Sequence, residues 1–164
     1  MNQLDKEFIP YEQALALKEL GFDEPCLAYY TTTNDVAIDK EGNKTNFILL
    51  SSKLRGELVG HGSVKNSLFK WLKENDKTSG ELYTLSNSMT APLYQQAFRW
   101  FREKYNIDSM IQPTYSTKYK YRIFHIEDKI KVQIYGEYMG KEFKSYEEAK
   151  LACLIKLIQI VKEK

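Results

Sequence analysis

Apolar positions recur at helical spacing most strongly between Thr90 and Tyr105. Leu93, Ala97, Trp100 and Phe101 form one stripe, Tyr94, Phe98 and Tyr105 widen it, and Gln95, Arg99, Arg102 and Glu103 fill the wet side. Pro92 suits a first helical turn, Thr90 a cap, and Met89 a staple onto Tyr94. The pattern predicts a helix over 90–105, with Trp100 and Phe101 buried against the last helix of the chain. So broad an aromatic arc needs cover on two sides.

Ahead of this helix the pattern is mixed. Pro10 can open and Gly21 can end a helix through Leu20 whose inward positions are expected to be Tyr11, Ala14, Leu15 and Leu20. Strand-forming residues then run over 26–33 and 45–51, with Lys40-Glu-Gly-Asn-Lys44 as the turn between them. Val64, Leu68, Trp71 and Leu72 mark one face of a further helix of about ten residues. A short strand over 81–85 completes a first α+β unit over 1–89.

Behind the central helix the period changes from helical to alternating. Three strands are predicted at 110–116, 118–126 and 129–135, with turns at Thr117 and Glu127-Asp128. In the second strand Tyr119, Tyr121, Ile123 and His125 share one face, and Lys118, Lys120 and Arg122 the other. In the third, Ile130, Val132 and Ile134 oppose Lys129, Lys131 and Gln133. Ser145 with Glu148 forms a capping box that starts a last helix, apolar almost all round from Leu151 to Val161. The fold class is therefore α+β. Antiparallel sheets carry helices on one face, and residues 90–164 run helix, strand, strand, strand, helix; the two units can also form one compact domain.

Charge sharpens this picture. The net charge is +2, yet residues 1–91 carry 10 Lys/Arg against 13 Asp/Glu and residues 92–164 carry 14 against 9. An acidic half precedes a basic half, which fits mutual docking or a polyanionic partner for the second. The 12 Tyr and 8 Phe can fill a core or stack on bases, and ordinary burial tendencies favour the core. Cys26 and Cys153 sit in apolar surroundings, and Met1 to Glu7 lacks the basic and apolar regions of a signal peptide. Reduced thiols and a cytoplasmic location are the expectation. No apolar run reaches the ~20 residues of a membrane span, so no membrane association is expected.

Two features invite a functional reading. Glycines at 56, 60 and 62 precede a helix, so Gly60, His61, Gly62 and Ser63 can form an anion site of backbone N–H groups and one titratable donor. The spacing is not that of a P-loop, since no Lys-Ser/Thr pair follows the last glycine, and glycines in loops have backbone reasons of their own. The second feature is the basic sheet face. Lys118, Lys120, Arg122, Lys129 and Lys131 can grip a single strand of nucleic acid or an acidic protein, or simply keep a one-sided sheet solvated. His61 and His125 have no metal-ligand spacing with Cys26 or Cys153. No nucleophile elbow, Walker motif or zinc knuckle occurs. The reading leans away from an enzyme and calls for no metal and no cofactor.

Ala91-Pro92 followed by Tyr94 to Tyr105, Tyr11-Glu-Gln-Ala14, Lys18-Glu-Leu-Gly-Phe22 and Ser145-Tyr-Glu-Glu-Ala149 resemble small proteins of phages and mobile elements of gut Bacteroidales. The resemblance implies a mobile-element origin and a bacterial cytoplasm, and it lends no activity. Residues 91–164 also resemble a double-stranded RNA-binding domain in element order. Ser145 to Lys150 overlies that family's end motif, but Tyr146 and Glu147 stand where its two phosphate-reaching lysines belong, and only Lys150 survives. Duplex RNA is therefore disfavoured. The expected function is a non-catalytic accessory protein that binds a host or phage protein. The alternatives are a nucleic-acid-binding module using the basic face, and a small nucleotide-handling protein or enzyme using the loop at 56–62.

Overall fold

A computed structural model of the chain describes residues 6–30, 37–38, 44–45, 47–49, 65–67, 70, 74, 88–127, 130–135 and 141–163. They form a mixed α+β protein in two compact units, Met1–Leu93 and Tyr94–Lys164.

In the first unit, helix α1 (Tyr11–Glu19) follows Pro10 and ends at Gly21, whose φ of 84° is the left-handed backbone that glycine adopts without a Cβ clash. Strand β1 (Ala28–Tyr30) lies between β4 (Phe47–Leu49) and β5 (Met89–Thr90), antiparallel to both; β2 (Ala37–Ile38) pairs with β3 (Lys44–Thr45). The connection over 39–43, where the sequence places a turn, lies outside the described residues, as do Val64, Leu68, Trp71, Leu72 and 81–85. Ala14 and Leu17 are the buried residues of α1, while Leu15 is 38% exposed. Of the expected inward set Ala14 is buried and Tyr11 and Leu20 are half-buried, whereas Leu15 faces out and Leu17 takes its place. Ala14 and Leu17, three apart, share one stripe of the helix, and the Phe22 amide donates to the Leu17 carbonyl at 2.9 Å.

Met89 and Thr90 are strand, not the start of the central helix. Tyr29 and Tyr30 pair with Thr90 and Met89, and the Ala91 amide donates to the Ala28 carbonyl at 2.9 Å. The Pro92 carbonyl accepts from the Ile9 amide at 2.9 Å, and Leu93 bridges Phe8. A residue before proline is pushed toward extended backbone, and here sheet pairing rewards that preference. Asn66 ties the unit together: its side-chain amide donates to the Phe22 carbonyl at 2.8 Å, and its oxygen accepts from the Thr90 amide at 3.1 Å.

The second unit runs α2 (Tyr94–Tyr105), β6 (Ile107–Pro113), β7 (Tyr119–Glu127), β8 (Ile130–Tyr135) and α3 (Tyr146–Lys162), with an antiparallel sheet in the order β6-β7-β8. Asn106, at φ 56°, turns the chain from α2 straight into β6. The strand consequently starts at Ile107 and ends at Pro113, three residues earlier at each end than the sequence suggests, which leaves Thr114 to Lys118 as a hairpin tip. Both helices pack on β6, α3 also packs on β7, and the helices meet each other. Tyr94, Ala97, Trp100 and Phe101 are buried, as the helical stripe requires. Trp100 stands edge-on to Phe101 at 5.2 Å and to Tyr105 at 5.3 Å. The Ser145 hydroxyl caps α3 by accepting from the Glu148 amide at 3.1 Å. Glu148 in turn accepts from the Lys144 amide at 3.0 Å, so the box closes one residue early.

Candidate interaction surface

Register divides the β6–β7 ladder into two faces. Ile107, Ser109 and Ile111 sit opposite His125, Ile123 and Tyr121; Asp108, Met110 and Gln112 sit opposite Phe124, Arg122 and Lys120. The first set faces the helices: Ile107 and Ile123 are buried, and both helices pack on β6. Tyr119 stands edge-on to Tyr146 at 5.9 Å, and Tyr121 lies 5.9 Å from Phe143. The β7 tyrosines are thus packed inward and are not a stacking platform beside the lysines.

The other face carries Lys120, Arg122, Phe124 and Ile126 on β7, all half-buried, with Met110 opposite Arg122 and 43% exposed. By register its cations fall at both ends, Lys120 and Arg122 toward the 114–118 tip and Lys131 beside Ile126. Lys118, at the tip, forms an ion pair with Glu142 at 3.1 Å. Lys131 lies opposite Ile126 and Gln133 opposite Phe124, with a register shift between Ile123 and Phe124. Lys129 lies outside the described residues. Alternation puts Lys120 and Arg122 on one face of β7 and passes over Phe124 and Ile126, which continue the same row. The signal was present in the sequence as two even-numbered apolar residues among even-numbered cations.

Lys150, the one lysine left of the RNA-binding motif, is buried. Its Nζ lies 4.5 Å from the centre of the Tyr94 ring and 5.7 Å from that of Tyr146. A cation held against aromatic faces inside the unit cannot reach a phosphate. Burial also pushes the Tyr94 hydroxyl up to about 12. For the Cys153 thiol burial does the same, to about 12, against a smaller lowering by the Ser109 bond. That is the reverse of an activated nucleophile. His125 Nδ1 lies 3.1 Å from Glu127 Oε1. No group of three His, Cys, Asp or Glu able to hold a metal occurs among the described residues, and no helix among them is long and apolar enough to cross a membrane. Gly60, His61, Gly62 and Ser63 lie outside the described residues.

No protein-family model matches the chain, and neither the curated proteins nor the solved structures contain a match.

Proposed function

We propose that this chain is a non-catalytic accessory protein of a phage or mobile element that works by binding another protein, of host or phage, through the outer face of β6 and β7. The observation that carries the reading is the composition of that face. Half-buried Phe124 and Ile126 and exposed Met110 continue the row of Lys120 and Arg122. A phosphate grip wants cations in register along the face with aromatic rings among them. Here Phe124 is the one ring of β7 in the row and is half-buried, the tyrosines turn inward, Lys118 is paired with Glu142, and Lys150 is buried. Apolar area with flanking cations instead suits a protein surface with carboxylates near an apolar centre. The mobile-element setting and bacterial cytoplasm rest on the resemblance described above.

The test is capture from bacterial host lysate with and without nuclease, using the full chain and a Met110→Asp, Arg122→Glu double variant. The proposal expects a retained protein that survives nuclease and is lost with the variant. Retention abolished by nuclease would transfer the face to nucleic acid, and retention indifferent to the variant would remove it from the interface.

A further inference from the structure

The hydrogen-bond phase of the β6–β7 ladder decides which backbone groups of β6 are left at the edge of the sheet. The Ile126 amide donates to the Asn106 carbonyl and the Thr114 amide to the Lys118 carbonyl, each at 2.8 Å, in the register that sets Asp108 opposite Phe124 and Met110 opposite Arg122. Even-numbered residues of β6 therefore exchange hydrogen bonds with β7, and the N–H and C=O groups of Ile107, Ser109 and Ile111 point the other way. β6 ends the sheet order, so no strand pairs with those groups among the described residues. Pro113 has no N–H and Ile107 is buried, which leaves the amides of half-buried Ser109 and Ile111 as the donors this edge can offer.

An edge strand of 7 residues is a template for a further strand, and proteins block such edges with charge, proline or bulges. Here one of the donors is already taken. The Ser109 amide donates to Asp108 Oδ1 at 2.9 Å, and Arg102 Nη1 lies 3.5 Å from the same oxygen. By register Asp108 belongs to the outer-face row, whereas α2 packs on β6 from the other side, so Arg102 draws the carboxylate around the edge. The Asp108 side chain is 15% exposed, a carboxylate held in place and not one left to solvent.

We infer that the Asp108 carboxylate is a guard on this edge: held by Arg102, it occupies the Ser109 amide and keeps β6 from pairing with β6 of a second copy of the chain. The second copy is the occupant because the open part of the edge is self-complementary. In an antiparallel pairing about a two-fold axis at Met110, Ser109 of each copy faces Ile111 of the other, and each such pair exchanges both of its hydrogen bonds. Met110, exposed on the outer face, then meets its own counterpart. With the Ser109 amide taken in both copies, half of those bonds cannot form. The guard acts at the edge and is independent of what the outer face binds.

Sedimentation velocity of the full chain over a concentration series tests it. Asp108→Ala is expected to tighten self-association into a dimer at least about tenfold over the native chain. Asp108→Asn, whose side-chain oxygen can still accept from the Ser109 amide, should fall between the two. Arg102→Gln leaves the carboxylate without its pin and should move the same way as Asp108→Ala by a smaller factor; it carries the test if Asp108→Ala fails to fold. Ile111→Pro added to either variant removes the remaining edge donor without touching the β7 ladder, and should return association to the native level with an unchanged far-ultraviolet circular dichroism spectrum. If the proline is not tolerated, Met110→Lys serves in its place by setting like charges opposite each other across the pairing. Folded variants that associate no more tightly than the native chain, or a dimer that survives the edge-blocking substitution, would overturn the inference. So would a native dimer that Ile111→Pro dissociates, since the edge would then be in use and not guarded.

Discussion

Replacing Trp100 by alanine probes the packing that positions the whole sheet. The ring is 6% exposed, meets Phe101 and Tyr105 edge-on at 5.2 and 5.3 Å, and carries Lys104 Nζ 4.8 Å above it. A tryptophan of this kind buries ~150–250 Å², which at ~25 cal/mol per Å² corresponds to about 4–6 kcal/mol of transfer free energy. Alanine retains part of that and the neighbours relax into part of the void, so Trp100→Ala should cost about 3–5 kcal/mol. Urea denaturation of the full chain, followed by far-ultraviolet circular dichroism, reads the loss. The two compact units need not unfold in one transition, so the shift is expected in the transition that Phe101→Ala also moves. Phe101 is 0% exposed and supplies the internal reference. A cost below about 1 kcal/mol for Trp100→Ala would show an accessible ring and refute the packing described for α2.

Further outcomes follow from the same geometry. Asn66→Ala should destabilise the first unit by about 2–4 kcal/mol in the same assay, because it orphans the Phe22 carbonyl and the Thr90 amide together. Thr117→Gly should stabilise the protein by roughly 0.5–1 kcal/mol, as glycine relieves the left-handed strain at some cost in unfolded-state entropy; a loss would mean that the Thr117 side chain holds the tip. Cys153 and Tyr94 have raised pKa values, so their contribution to stability is complete below the ordinary values of 9.0 and 10.0 and is lost as pH rises toward about 12. Across that window each pH step costs up to about 1.4 kcal/mol per group, and Cys153→Ala should flatten the decline between about pH 9 and pH 10. Thermal unfolding across an alkaline series measures it.

Helices and strands were largely legible where one period dominated. The stripe through Ala97, Trp100 and Phe101 reappears in the buried set, and on β7 the buried residue is Ile123, on the face away from Lys120 and Arg122. Reading failed where long-range pairing overrode local chemistry. Thr90 has the side chain of a helix cap, yet β1 takes its backbone into a sheet, and its Oγ1 is the buried side-chain polar atom without a partner among the described residues. Leu15 and Leu17 are equivalent in hydropathy; only the position of the buried stripe separates them. The site was harder. Lys120 and Arg122 of β7 announce themselves by alternation, but the neutralisation of Lys118 by Glu142 depends on a contact 24 residues away, and Lys150 is identical in sequence whether it reaches solvent or lies over Tyr94. Tyr115 reads as one more strand residue until Asn106 moves the strand back.

The central claim is that the cations of the outer face act beside apolar residues and not as a phosphate grip. Its most direct test is the affinity of the full chain for a fluorescent oligo(dT) across a salt series. Each phosphate neutralised would add about −0.7 to the log–log slope. The account predicts binding too weak to saturate even at low salt, and no difference between the native chain and a Lys118→Gln, Lys120→Gln, Arg122→Gln variant. Saturable binding with a slope of about −2 or steeper, flattened by those three substitutions without loss of thermal stability, would contradict it.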